Sequence, residues 1–226
     1  MRSDLLIIKK AGGLFMELKE NYNALDVAKF VCIILVIVIH TSPFAFNIWL
    51  DGGCGLVTRI AVPFFFCSSA YLIFSRLINM TDNQIRIEVY KKYILRLAKL
   101  YFIWVLIYLP FNVATNLSDG IIKKNEIMAY LTSVFIYGCG NYLWFIQAMI
   151  YAAVILFILK KLLALKTKTI FTIAIFFWII GLCFSTYQNI FQAFSWWQWI
   201  NQHVISYIGL QNGLFFGFPY MALGMC

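Results

Sequence analysis

Charge is scarce in this chain. Asp, Glu, Lys and Arg make up only 12% of it against 63% hydrophobic residues, and the mean hydropathy is +0.84. Acidic residues are rarest, nine against 18 basic ones, for a net charge of +9. Such scarcity excludes a soluble globular domain, whose surface helices need polar faces alternating with apolar ones. The basic excess does not indicate a nucleic-acid partner, because Lys and Arg fall in short blocks between apolar spans, the pattern in which membrane topology is written. The six cysteines, at 32, 54, 67, 139, 183 and 226, form no CxxC and no Cys/His metal spacing. Most lie in apolar spans as inert packing residues; Cys54 and Cys139 fall in connections on one side, which leaves a disulfide between them open. A Walker loop, GxGxxG, HExxH, GxSxG and a Ser-His-Asp set are all lacking, so nucleotide hydrolysis, dinucleotide redox chemistry, zinc proteolysis and serine-triad hydrolysis find no support. Nor is there a soluble domain, a low-complexity tract or an internal repeat.

What is present is a succession of apolar runs long enough to cross a bilayer. The expected fold is all-α, a polytopic transmembrane helix bundle. Spans are predicted over 27–46, 56–74, 94–113, 142–159 and 169–187, with a sixth beginning at Gly213 and still running at Cys226. A weaker amphipathic stretch at 127–137 reads as a short interfacial or re-entrant helix. Residues 1–22, with apolar patches beside Arg2, Lys9, Lys10 and Lys19, read as a cytoplasmic interfacial segment, and residues 23–226 as the membrane domain. The first span lacks a small-residue cleavage site and is expected to stay in place.

Alternate connections carry nearly all the Lys and Arg. Arg76, Arg86, Lys91, Lys92, Arg96 and Lys99 form one block, and Lys160, Lys161, Lys166 and Lys168 another, while 188–212 has none. The expected placement is a multi-pass cell-membrane protein with a cytoplasmic amino terminus. The connection 188–212 instead holds Phe191, Phe194, Trp196, Trp197, Trp199 and Tyr207. These read either as an interfacial aromatic belt or as a stacking platform for a sugar.

Against this apolar background the polar residues of the first two spans stand out. At 100° per residue, Lys29 and His40 point about 20° apart and Asp26 lies about 40° further round, so the three share one stripe. Lipid is a costly surrounding for that stripe, which should face the bundle interior or a watery cavity. A rise of ~1.5 Å per residue sets His40 roughly 16 Å above Lys29, past the midplane. Arg59 opens the next span after Asp51-Gly52-Gly53-Cys54-Gly55, read as a short turn that makes the helices antiparallel neighbours. A histidine can act as general base for a hydroxyl, and a guanidinium beside it can stabilise the oxyanion of acyl transfer. Plain alternatives stand beside this: a bond from His40 to a carbonyl of the next helix, Arg59 snorkelling to headgroups, an interfacial Asp26–Lys29 pair, and Pro63 marking a first turn or a kink.

Leu25-Asp26-Val27-Ala28-Lys29, Val38-Ile39-His40 and Arg59-Ile60-Ala61-Val62-Pro63-Phe64-Phe65-Phe66 with Ser69 resemble the opening motifs of the membrane acyltransferase-3 family. Lys92-Tyr93-Ile94-Leu95-Arg96-Leu97 is similar to the basic motif leading into that family's third helix. Leu143-Trp144-Phe145, Asn212-Gly213-Leu214-Phe215 and Leu223-Gly224 resemble its later signals. Departures are Lys29 for the more usual arginine, Ala70 for glycine, Tyr93 for a basic residue and Lys99 for proline; the first loses the planar bidentate fork. Family members have about ten helices, so the chain is expected to be an amino-terminal portion.

The resemblance implies an integral membrane acyltransferase moving an acyl group, acetyl by expectation, from acyl-CoA to a hydroxyl of an extracytoplasmic glycan or cell-envelope acceptor. His40 would be the general base. Donor and substrate would be held by Arg59, Lys29, Asp26, Arg96 and Ser69, with Arg96 meeting the phosphates of acyl-CoA and Trp144 structural. No bound cofactor or metal is implied; the lipid bilayer, acyl-CoA and the glycan are the expected partners, and nucleic acid is not. Two alternatives remain: an exporter of polysaccharide or small solute, and the membrane half of a serine-racemase-type resistance protein, although no racemase domain is present.

Overall fold

The computed structural model describes residues 4–10, 13–19, 22–43, 46–117, 130–138, 140–205 and 213–226. The chain divides into two compact units, Met1–Ala61 and Val62–Cys226. The architecture is the expected helical bundle.

The first unit opens on a hairpin, β1 (Asp4–Lys10) and β2 (Gly13–Lys19), antiparallel with Asp4 opposite Lys19 and Lys10 opposite Gly13. The segment expected at the membrane surface is therefore extended. Helix α1 (Asn23–Thr41) follows, 19 residues long and apolar enough to cross a membrane. Ser42 stops it in the left-handed region, φ 40° and ψ 55°, with its N–H donating to the Val38 carbonyl at 3.0 Å. Pro43, next in the chain, has no N–H with which to continue the helix.

The sequence reading of Asp51 to Gly55 as a turn is wrong. Those residues are the middle of α2 (Ile48–Thr58), which packs on α1. Three glycines should weaken a helix by about 1 kcal/mol each relative to alanine. Opposing that, the Asn47 side chain caps α2 by accepting from the N–H groups of Trp49 (3.0 Å) and Leu50 (3.3 Å), and Asp51 sits in the first turn, where the helix dipole favours negative charge. A helix also satisfies its own backbone where water is absent. The connection between α1 and α2 falls at 42–47 instead, where 44 and 45 lie outside the described residues.

The second predicted span becomes a longer run, Trp49–Ile78, interrupted at Arg59 and Ile60 before α3 (Ala61–Ile78). Pro63 explains the interruption. It has no N–H for the Arg59 carbonyl four residues back, and its ring crowds that carbonyl. Arg59 thus sits at the break between α2 and α3, not at the opening of one continuous helix.

In the second unit, α4 (Asn83–Leu117) extends the predicted span by eleven residues at its start, and Asp82 caps it by accepting from Gln84 N–H at 2.7 Å. Its 35 residues would reach about 52 Å, well beyond the ~30 Å thickness of a hydrocarbon layer, and its basic residues are gathered in the first half. Helices α5 (Gly140–Phe157) and α6 (Thr167–Phe184) match the next two predicted spans, α5 ending in a π-helical turn, Ile158–Leu162. Two short helices, α7 (Gln188–Phe191) and α8 (Ser195–Ile200), precede the final segment, a π-helical Gly213–Gly217 running into α9 (Phe218–Met225). Among the described residues, five helices are long and apolar enough to cross a membrane; Gly213–Met225 is a shorter apolar helix.

Small residues let this last segment seat deeply. A Cβ on Gly213 would come within 2.3 Å of Tyr151 Cβ, one on Gly217 within 2.9 Å of the Ala148 carbonyl, and one on Gly224 within 2.1 Å of the Cys67 carbonyl. Gly213 and Gly217, four apart and met by Ala148 and Ala152, and Gly224, seven further on and met by Cys67, make a small-residue interface, in which dispersion supplies the packing energy that lipid exclusion cannot. The core they join includes the fully buried Phe66, Leu156, Ile170, Phe218 and Met221.

Polar contacts fix a π-helical piece, Ser133–Tyr137, within the stretch expected to be interfacial; 127–129 lie outside the described residues. The Val134 carbonyl accepts from Tyr101 Oη on α4 and, at 2.9 Å, from buried Gln147 Nε2 on α5. Tyr151 Oη donates to the Phe135 carbonyl. Side chains from two spans thus satisfy an irregular backbone, the condition under which it is tolerated at membrane depth.

Candidate functional site

The six candidate residues are divided between the two units. Asp26, Lys29, His40 and Arg59 belong to the first, Ser69 and Arg96 to the second. Helix α1 is unbroken from Asn23 to Thr41, so the stripe drawn on an ideal helix holds, with His40 in the last turn about 16 Å beyond Lys29. At the other end of α1, Lys29 Nζ lies 3.2 Å from Asp26 Oδ1, with the Lys side chain 30% exposed and the Asp 70%. This is an i,i+3 pair near the helix start, where the acidic partner also suits the dipole.

His40 is exposed and is followed within two residues by the left-handed Ser42. A residue before proline ordinarily prefers extended backbone, so this conformation is unusual and pins the helix end just beyond the imidazole. Arg59 is exposed at the end of α2, the helix that packs on α1. The first unit therefore carries an imidazole beside the 42–47 connection and a guanidinium at the far end of α2, roughly 16 Å of helix away from that connection, so replacing the expected short turn by a helix removes the ground for setting the two side by side.

In the second unit the structure joins two motifs that the sequence keeps apart. Ser69 Oγ on α3 lies 2.7 Å from Tyr93 Oη on α4, and Tyr93 is buried one turn before the exposed Arg96. Tyr93, one of the departures from the resemblance, is thus the partner of Ser69. Its place in Lys92-Tyr93-Ile94-Leu95-Arg96 marked it for notice, but nothing in the sequence named that partner. Trp144 packs edge-on to Phe145 and Phe216.

Of the cysteines, Cys32, Cys54, Cys67, Cys183 and Cys226 carry free thiols, while Cys139 lies outside the described residues. In the aromatic connection Trp197 is buried and stacks on Phe184 with ring centroids 5.3 Å apart, whereas Phe194, Trp196 and Trp199 stay exposed. Tyr207 lies outside the described residues. His203, which the sequence reading passed over, stacks on Trp199 at 5.0 Å and bonds through Nδ1 to the Trp199 carbonyl at 2.9 Å. Its spacing of four from Trp199 on an apolar helix was the available signal.

No solved structure matches the chain. Curated relatives include an amino-acid racemase of Enterococcus faecalis, 29% identical over 216 residues, and a second from the same species, 27% identical over 214. A serine/alanine racemase of Enterococcus gallinarum is 25% identical over 207 residues. These alignments cover 90–92% of this chain, which spans just over a quarter of the relatives' length, 28–29%. The family model described as an acyltransferase domain matches residues 22–226, over the same stretch as the motifs laid out above. A helical, multi-pass chain matched over nearly all its length, it belongs to the acyltransferase-3 family.

Proposed function

We propose that this chain is the acyl-transferring membrane domain of its protein, passing an acyl group from acyl-CoA to a hydroxyl on a cell-envelope glycan. Family membership over residues 22–226 carries the reading. His40 is the base. Its imidazole takes the acceptor's hydroxyl proton as that oxygen attacks the thioester carbonyl. The tetrahedral intermediate collapses as the carbon–sulfur bond breaks, and the departing thiolate takes the proton from the imidazolium; Arg59 binds the donor or the intermediate. Arg96 meets the donor's phosphates from the basic side, and Ser69, Lys29 and Asp26 contribute to binding donor and substrate. The amino terminus and the Lys/Arg-rich connections face the cytoplasm, and the depth of His40 along α1 suits transfer to an outer acceptor.

The test is His40→Ala in the whole protein, with acyl groups on the envelope glycan quantified. Loss of ~10²–10⁴-fold is expected with insertion unchanged; transfer at the normal rate would remove His40 from the mechanism. A reporter fused at the amino terminus checks orientation.

The names of the relatives favour a second reading, the membrane half of a racemase-type protein that handles serine or alanine. An intramembrane Lys29 and His40 stripe would then line a pathway. Uptake of labelled serine into proteoliposomes, unaffected by acyl-CoA, would favour it over acyl transfer.

A further inference from the structure

The basic end of the second unit contains a pocket of about 350 Å³ that the acyl-transfer reading does not use. Its walls come from the end of α3, the start of α4 and the end of α5 with its π-helical turn. Two kinds of surface meet there. The apolar wall includes Phe74, Tyr90 and Phe157. Tyr90 stacks on Phe157 with centroids 5.4 Å apart and donates to the Ala153 carbonyl at 3.0 Å, so this wall is already in place. The polar lining is Arg86, Lys160, Lys161 and Asn83, with no acidic residue among the lining residues.

Two of the cations are positioned by their own bonds. Arg86 Nε donates to the Met80 carbonyl at 2.6 Å, which uses one of the five guanidinium donors. Lys160 Nζ donates to Thr167 Oγ1 at 2.9 Å. Three positive groups over an aromatic wall match a molecule with a phosphate at one end and a hydrocarbon chain at the other. A zwitterionic headgroup would bring its ammonium into the same cationic ring. We propose that this pocket holds an anionic glycerophospholipid, its phosphate against Arg86, Lys160 and Lys161 and an acyl chain along Phe74, Tyr90 and Phe157. The inner leaflet, on the orientation proposed above, is where such lipids concentrate beside basic residues. The proposal does not depend on His40 or on acyl transfer.

The test uses the full chain in uncharged detergent, with dioleoylphosphatidylglycerol, dioleoylphosphatidylcholine or acetyl-CoA added and bound adducts counted by native mass spectrometry. Expected are one retained phosphatidylglycerol, at least tenfold weaker retention of phosphatidylcholine, and at least tenfold loss in an Arg86→Gln/Lys161→Gln variant with unchanged helicity by circular dichroism. Leu77→Trp, which narrows the apolar wall while keeping every charge, should lower retention as well. Equal binding of the two lipids, or undiminished binding by the charge variant, would overturn the proposal. Displacement of phosphatidylglycerol by stoichiometric acetyl-CoA would also overturn it, giving the pocket to a soluble phosphate-bearing donor.

Discussion

Helices α1 and α5 illustrate how little hydropathy says about packing. Each offers a 19-residue span whose most apolar 18 residues reach a mean hydropathy of 2.2 for α1 and 2.0 for α5, yet 6% of those residues in α1 are buried within the chain and 39% in the α5 span. The α5 span has alanines at 148, 152 and 153, all fully buried, with Gly213 and Gly217 brought against them. Around α1 the exposed residues are large, among them Val27, Phe30, Ile34 and Ile37, and only Cys32 is buried. In lipid, apolarity gives entry to the membrane but no drive between helices; close backbone approach decides which helices associate. Among the described spans α1, which bears His40, has the smallest buried share, whereas α5 forms the structural centre of its unit.

The sharpest challenge to that contrast is Leu156→Ala on α5. Leu156 is fully buried, and its loss should cost about 2–5 kcal/mol through the cavity left behind, read as a lower unfolding midpoint in detergent. Gly224→Leu should come next at about 1–3 kcal/mol, because its Cβ would already overlap the Cys67 carbonyl; a variant as stable as the parent would mean that α9 does not seat against α3 as described. Tyr93→Phe removes the bond to Ser69 and should cost about 1 kcal/mol, with Ser69→Ala in the same background adding little further in a double-mutant cycle. Ile34→Ala on α1 is expected to change stability least, by under about 0.5 kcal/mol, since Ile34 is 46% exposed. A cost near that of Leu156→Ala would make α1 as packed as α5 and dissolve the comparison.

Much of the fold was legible in the sequence because apolar run length is a local property. The spans at 142–159 and 169–187 correspond closely to α5 and α6. Errors arose where local signals competed. Gly52, Gly53 and Gly55 suggested a turn, but the Asn47 cap and the need for internal backbone bonding made a helix. Polar residues before Ile94 suggested a connection, but the Asp82 cap starts α4 at Asn83. For the site, the stripe of Asp26, Lys29 and His40 could be drawn in advance because it needs only helical periodicity on one element. Ser69 and Tyr93, 24 residues apart on different helices, could not be paired that way.

The sequence by itself determined membrane residence, the helical class, the approximate spans, a proline at 63 able to start or kink a helix, and the residues worth suspecting. All of these follow from composition, periodicity and the missing N–H of a proline, which act along the chain. Only the tertiary structure decided that Gly213, Gly217 and Gly224 are seats for a neighbouring helix, that Tyr93 holds Ser69, and that Arg86, Lys160 and Lys161 share one pocket. Those facts depend on which surfaces approach within a few ångströms, and in a chain with nearly every surface apolar, that choice is made by shape.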